Sequence, residues 1–257
     1  MFLPSFQLEN KVAVVTGAGR GIGRALAIGL AEAGAQVALL ARTEQDIINV
    51  AREINSIGAK AYPIVTDVTN RDEVNQSIAK IIETTGTIDI LINNAGMNIR
   101  SQALDVTDVE WHKIMDTNLK SAFIMSQEVG TFMKKHGTGG KIINISSVAG
   151  HVALRTGVVY AATKAAMIQM TKVLALEWGQ YGINVNSIGP WYFKTPLTEK
   201  LLQDEKYVDD ILAVTPLKRI GELEELVGPT VFLASAAGNY ITGQTLFVDG
   251  GMTIQGF

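Results

Sequence analysis

Seven short apolar runs, most of them parted from the next by a stretch of helical patterning, constrain this chain more than any other feature. They are KVAVVT (11–16), QVALLA (36–41), AYPIVT (61–66), IDILIN (88–93), KIINIS (141–146), INVNSI (183–188) and TLFV (245–248). Most are continuously apolar rather than alternating, which marks strands covered on both faces. Between them the spacing turns helical, as in GIGRALAIGLAEAG (21–34), which Gly34 closes. Strand and helix in repeated order require right-handed crossovers and hence a parallel, doubly wound sheet. The expected fold class is α/β: a single domain over 1–257, with about seven strands flanked by helices. One stretch departs from the pattern. Residues 190–217 are aromatic, charged and irregular, with Pro196 and Pro216, and read as a lid-like excursion from the sheet.

Composition narrows the function classes. A net charge of −3 gives no electrostatic case for a nucleic-acid partner. The chain has no cysteine, which excludes disulfides and thiolate metal sites and suits a cytoplasmic location. Its three histidines, His112, His136 and His151, are too scattered for a metal site. The uncharged stretch 226–248 has the length of a membrane span, but Gly228-Pro229, Gly238-Asn239 and Gly243-Gln244 read there as a helix cap and turns. No membrane partner is expected.

The loop after the first strand, VVTGAGRGIGRAL, sets Gly17, Gly19, Arg20, Gly21, Ile22 and Gly23 ahead of an amphipathic helix. Glycines in that context let backbone N–H groups reach a pyrophosphate at the helix N-terminus. The spacing is G-x-x-x-G-x-G, because Ile22 stands where G-x-G-x-x-G needs its third glycine. At the end of the second strand an acid would bind the ribose 2′-OH of NAD(H). Ala41 and Arg42 stand there instead, and a guanidinium pairs with a 2′-phosphate, with Arg20 in support. Such a charge-assisted bond is worth about 1.5–3 kcal/mol. NADP(H) is the expected cofactor, NAD(H) the second choice.

Tyr160 and Lys164 lie four apart in VVYAATKAAM, and so share one helix face. No other tyrosine has a lysine at that spacing. Ser147, in NISSVAG, falls at a strand's C-terminal edge, where open α/β sheets bind ligands. A free phenol titrates near pH 10, too high for efficient proton exchange at neutrality. An ammonium about 5 Å away would favour phenolate by roughly 3 kcal/mol at an effective dielectric of about 20. Ser147 would then bond the substrate oxygen as charge develops on it.

TGAGRGIG, NNAG (93–96), Asn118, Ser147 and YAATK (160–164), in that order, resemble the short-chain dehydrogenase/reductase family, over nearly the whole chain. The resemblance implies a Rossmann-type domain and hydride transfer between a ketone and a secondary alcohol. It implies Tyr160 as acid/base, Lys164 as the cation that lowers its pKa and binds the nicotinamide ribose, Ser147 orienting the carbonyl, and Asn118 holding a relay water. Asn94, Ala95 and Gly96 would line the cofactor. Asp67, with Val68, would contact the adenine, and Pro190, Phe193 and Thr195 would lie near the nicotinamide. Trp191 stands where the family carries glycine, so it narrows the pocket or shifts the loop. The family usually forms dimers or tetramers, with 108–135 and 157–178 the segments expected to pair.

The expected substrate is a small carbonyl or alcohol. Arg100, just after NNAG, is placed to bind a carboxylate in bidentate fashion, with His151 and Trp191 as pocket walls. The C-terminal third is similar to the family's sugar-acid members, the gluconate 5-dehydrogenases, so a gluconate/ketogluconate type is expected. A 3-oxoacyl carrier-protein reductase and a catalytically silent NADP-binding sensor are the alternatives.

Overall fold

The computed structural model describes residues 2–254. Its strands are β1 (Val12–Thr16), β2 (Gln36–Ala41), β3 (Ala61–Val65), β4 (Ile90–Asn93), β5 (Gly140–Ile145), β6 (Ile183–Pro190) and β7 (Thr245–Val248). They form one sheet in the order β3-β2-β1-β4-β5-β6-β7, every pairing parallel. All seven apolar runs are therefore strands.

The helices are α1 (Gly21–Glu32), α2 (Glu44–Ser56), α3 (Arg71–Thr85), α4 (Asp108–Met115), α5 (Ser121–His136), α6 (Val158–Trp178), α7 (Glu205–Ala213) and α8 (Glu224–Ala234). Alternate residues of each strand feed two separate cores. Ala13, Val15, Val37 and Leu39 pack with Leu26 and Leu30 of α1, Ile47 and Ile54 of α2, and Leu226 and Leu233 of α8. Val12, Val14, Ala38 and Leu40 pack with Val74 and Ile78 of α3, Met125 and Val129 of α5, and Leu174 of α6. Burial on both faces is why the runs could be continuously apolar.

Two readings need correcting. Residues 190–217 are not irregular throughout, since α7 lies within them, its N-terminus capped by Asp204, whose carboxylate accepts from the Tyr207 N–H at 3.2 Å. Gly228-Pro229 is not a cap either; it lies inside α8. A proline there removes one backbone donor, and burial of Leu226, Thr230 and Leu233 holds the helix nonetheless. Among the described residues, no helix is long and apolar enough to cross a membrane.

The strand order reverses at β1, whose neighbours are β2 and β4. Crevices at such a reversal, beyond the strands' carboxyl ends, are where open α/β sheets take ligands.

Candidate active site

A cleft of about 430 Å³ opens at that point. At its floor Gly17 and Gly21 hold positive φ angles of 63° and 55°. A Cβ on Gly23 would lie 2.2 Å from the Gly17 carbonyl oxygen and 2.4 Å from Asn94 Nδ2. Asn94 closes the cradle by donating to the Thr16 and Gly17 carbonyls at 2.9 and 3.2 Å. Thr16 Oγ1 in turn accepts from the Asn94 and Ala95 N–H groups. A backbone cradle closed to a Cβ at Gly23, at the head of α1, fits a dinucleotide pyrophosphate. Arg20, Ile22, Arg42, Asp67, Val68 and Gly96 line the same cleft, with Arg20 and Arg42 exposed at its edge. Asp67 Oδ1 accepts from the backbone and hydroxyl of Thr69 at 2.9 and 2.7 Å. Burial pushes that carboxyl up, but the Thr69 bonds and the Arg42 charge outweigh it and leave it lowered.

Ser147 follows β5 and caps a short turn, its Oγ accepting from the Ala149 N–H at 3.1 Å. That turn sits directly on α6: a Cβ on Gly150 would come within 2.6 Å of the Lys164 carbonyl carbon. Glycine at 150 is what lets the serine approach the helix carrying Tyr160 and Lys164, and all three line the cleft. Lys164 is 4% exposed, and its Nζ donates to the Ile145 carbonyl at 2.7 Å. That nitrogen lies 5.6 Å from the centre of the Tyr160 ring.

The electrostatics correct the sequence argument. Burial raises the Tyr160 phenol above its ordinary value; hydrogen bonding with Ser147 and the Arg100 charge pull the other way without overcoming it. Burial also weakens the ammonium, pushing Lys164 down to about 8. Treating the pair as a cation acting on a phenol left out the desolvation of both groups.

Asn118 sits behind the cleft, fully buried in a π-helical turn, Asp116–Lys120, between α4 and α5. Its Oδ1 accepts from the Met97 N–H at 2.8 Å, and its Nδ2 donates to the Met97 carbonyl at 2.9 Å and the Thr163 hydroxyl at 3.3 Å. Its side chain thus braces the segment after β4, with both amide hydrogens donated within the protein.

Pro190, Trp191, Phe193 and Thr195 line the cleft where the chain leaves β6. The Trp191 indole donates to Thr215 Oγ1 at 3.0 Å, tying the start of the excursion to its end. Its bulk therefore serves the base of the lid as well as the pocket wall. His151, expected as a pocket wall, is not among the residues lining the cleft: it is exposed, and its ring lies 5.0 Å from that of Phe247, tilted by 39°.

Four further residues line the substrate end, at segments the sequence gives no way to join: Asn98, Leu154, Thr156 and Tyr192. Asn98 donates to the Thr156 carbonyl at 2.9 Å, while Asn98 Oδ1 and Thr156 Oγ1 are buried without a partner. Arg100 stands at the rim, its Nη1 donating to the Arg155 carbonyl and to the Tyr207 hydroxyl, both at 3.1 Å.

A dinucleotide cradle at a sheet reversal, opening onto a serine, a phenol and a buried amine, defines a nicotinamide-dependent oxidoreductase. Comparison with known proteins agrees. A family model described as enoyl-(acyl carrier protein) reductase matches residues 17–253. Gluconate 5-dehydrogenase of Gluconobacter oxydans is 42% identical over 250 residues, 97% of each chain. NAD-dependent glycerol dehydrogenase of Listeria innocua is 40% identical, over 99% of this chain and 98% of its own. A crystal structure of a gluconate 5-dehydrogenase from Burkholderia cenocepacia, in complex with NADP and tartrate, matches with a TM-score of 0.94 at 41% identity, covering 98% of both chains. The chain belongs to the short-chain dehydrogenase/reductase family.

Proposed function

We propose that this protein is an NADP(H)-dependent oxidoreductase that interconverts a keto and a hydroxy group on a sugar acid of the gluconate type. The observation that carries the reading is that one cleft holds both Tyr160 and Arg100: a proton donor and a cation suited to a carboxylate. The gluconate dehydrogenases among the relatives, and the tartrate bound by the Burkholderia one, support it. The exposed Arg42 and Arg20 favour the 2′-phosphate, and no acid stands at the end of β2.

In the reducing direction, the bound dinucleotide supplies hydride to the carbonyl carbon. Tyr160 donates its phenolic proton to the carbonyl oxygen as negative charge gathers there, and Ser147 hydrogen-bonds the same oxygen. A phenol raised by burial stays protonated through neutral pH, which suits the donor role. Lys164, fixed on Ile145, would hold the nicotinamide ribose when the dinucleotide is bound. Asn118 keeps Met97, and with it the wall beside Tyr160, in place.

The outer faces of α5 and α6 expose Phe123, Val173 and Leu176, which supports a homodimer or homotetramer formed through them. The absence of cysteine suits a cytoplasmic enzyme.

Mixing protein, NADPH and a panel of ketones tests the reading. Keto-sugar acids should oxidise NADPH fastest, and acyl thioesters poorly. Preference for thioesters would favour a 3-oxoacyl carrier-protein reductase; no turnover of any ketone would leave a silent binding protein.

A further inference from the structure

Arg100 does not stand alone at the rim. Its Nη1 is anchored twice, to the Arg155 carbonyl on one side and to the Tyr207 hydroxyl on the other. Tyr207 belongs to α7, the helix of the lid, and its hydroxyl also meets that of Tyr192 at 2.5 Å. Tyr192 is 8% exposed, lines the cleft, and packs edge-on against both Trp191 and Tyr207. The lid helix is fastened a second time, by Arg155 to Asp210 at 2.8 Å, with the Arg155 guanidinium 5.3 Å above the Tyr207 ring.

A guanidinium is a flat fork of five donors. Here Nη1 is taken by a fixed backbone oxygen and by Tyr207, and the Tyr192 hydroxyl also lies within bonding reach of the guanidinium. A guanidinium plane steadied by a backbone carbonyl and two tyrosine hydroxyls at the mouth of a cleft is set to meet a carboxylate. A long side chain at an exposed rim otherwise samples many rotamers, and that freedom is lost on binding. Tyr207, carried on α7, removes much of it beforehand.

We propose that Tyr207 is a positioning residue that aims Arg100 at the substrate's carboxylate, so that seating of the lid helix and selection of an acidic substrate are one event. The inference rests on the sugar-acid reading and adds to it the element that confers the specificity. Tyr192 supports the arrangement by sharing its hydroxyl with Tyr207.

The test compares 5-ketogluconate with a neutral ketose of the same chain length, D-fructose, each reduced with NADPH by three variants. Arg100→Ala should lower the acid-to-ketose ratio of kcat/KM by more than tenfold. Tyr207→Phe removes one hydroxyl and should lower the same ratio by several-fold to about tenfold, the worth of a single hydrogen bond, through KM for the acid rather than kcat. Asp210→Asn removes the Arg155 pairing that helps hold α7, and should lower the same ratio in the same direction, by less than Tyr207→Phe. If Arg100→Ala leaves the ratio where it was, the sugar-acid reading falls and this inference with it. If Arg100→Ala shifts the ratio while Tyr207→Phe leaves it unchanged or moves both substrates equally, the inference alone is overturned.

Discussion

The ammonium of Lys164 is bonded to the carbonyl of Ile145 at 2.7 Å, so the helix bearing the phenol is fastened to the end of β5 through a charged group with no acid beside it. Its pKa falls to about 8 because burial removes water from the cation. A lysine whose folded value lies below its unfolded one destabilises the protein wherever the free amine would be charged. The cost is complete below about pH 8 and is relieved as pH rises toward the ordinary lysine value of 10.5. Lys164→Met has no such group. Thermal unfolding followed from pH 7 to 10.5 should therefore show wild type gaining stability relative to Lys164→Met as pH rises. Parallel curves would mean that the amine titrates normally.

Tyr160 leads to a pH prediction of opposite sense for the two directions of reaction. Reduction needs the phenol protonated, and burial keeps it so well above neutrality. Alcohol oxidation needs phenolate and should accelerate into the alkaline range. The Arg100 charge is one of the two influences that favour phenolate, so removing it raises the phenol further. In Arg100→Ala the alkaline rise of oxidation, measured as kcat against pH, should move to higher pH. Tyr160→Phe should lose about a hundred- to ten-thousandfold in kcat while keeping the circular dichroism of wild type.

Much of this was legible in the sequence, and the reason is locality. A strand buried on two faces announces itself within six residues, and so does a glycine loop ahead of a helix. Ser147, Tyr160 and Lys164 are singled out by order and spacing along one chain segment, and all three line one cleft. What was missed depends on convergence. Arg100 is named by its place after NNAG, but its link to Tyr192 and Tyr207, more than a hundred positions on for the latter, depends on the path of the chain after β6. His151 was misplaced for the same reason in reverse: four residues after Ser147 along the chain, it turns away onto Phe247. The sign of the Tyr160 shift was missed because desolvation is a property of the packed site and has no spacing.

Arg42 tests the cofactor reading. It is exposed at the cleft's edge just past β2, so its removal disturbs no core contact. A charge-assisted bond to a 2′-phosphate is worth about 1.5–3 kcal/mol, or roughly ten- to a hundredfold in affinity. Arg42→Ala should weaken NADPH binding by that factor and leave NADH within about twofold, read by quenching of intrinsic fluorescence. Equal weakening of both would show that the guanidinium does not distinguish them.

Gly23 is the position where the phosphate cradle leaves no room. A methyl group there meets backbone on one side, the Gly17 carbonyl oxygen at 2.2 Å and its carbon at 2.9 Å, and the Asn94 amide on the other at 2.4 Å. Asn94 is the residue that ties β4 to the loop, so neither wall yields without opening the cradle. Overpacking of this kind costs about 1–3 kcal/mol, which for a chain of this size lowers Tm by roughly 3–10 °C. Gly23→Ala should show that drop and bind dinucleotide weakly even at low temperature, where the protein is folded. Gly179→Ala is the control, since a Cβ there meets nothing within 4 Å and Tm should stay within about 1 °C of wild type. Both readouts are needed, because loss of stability alone would follow from any crowded glycine, whereas loss of binding in the folded protein ties the crowding to the phosphates.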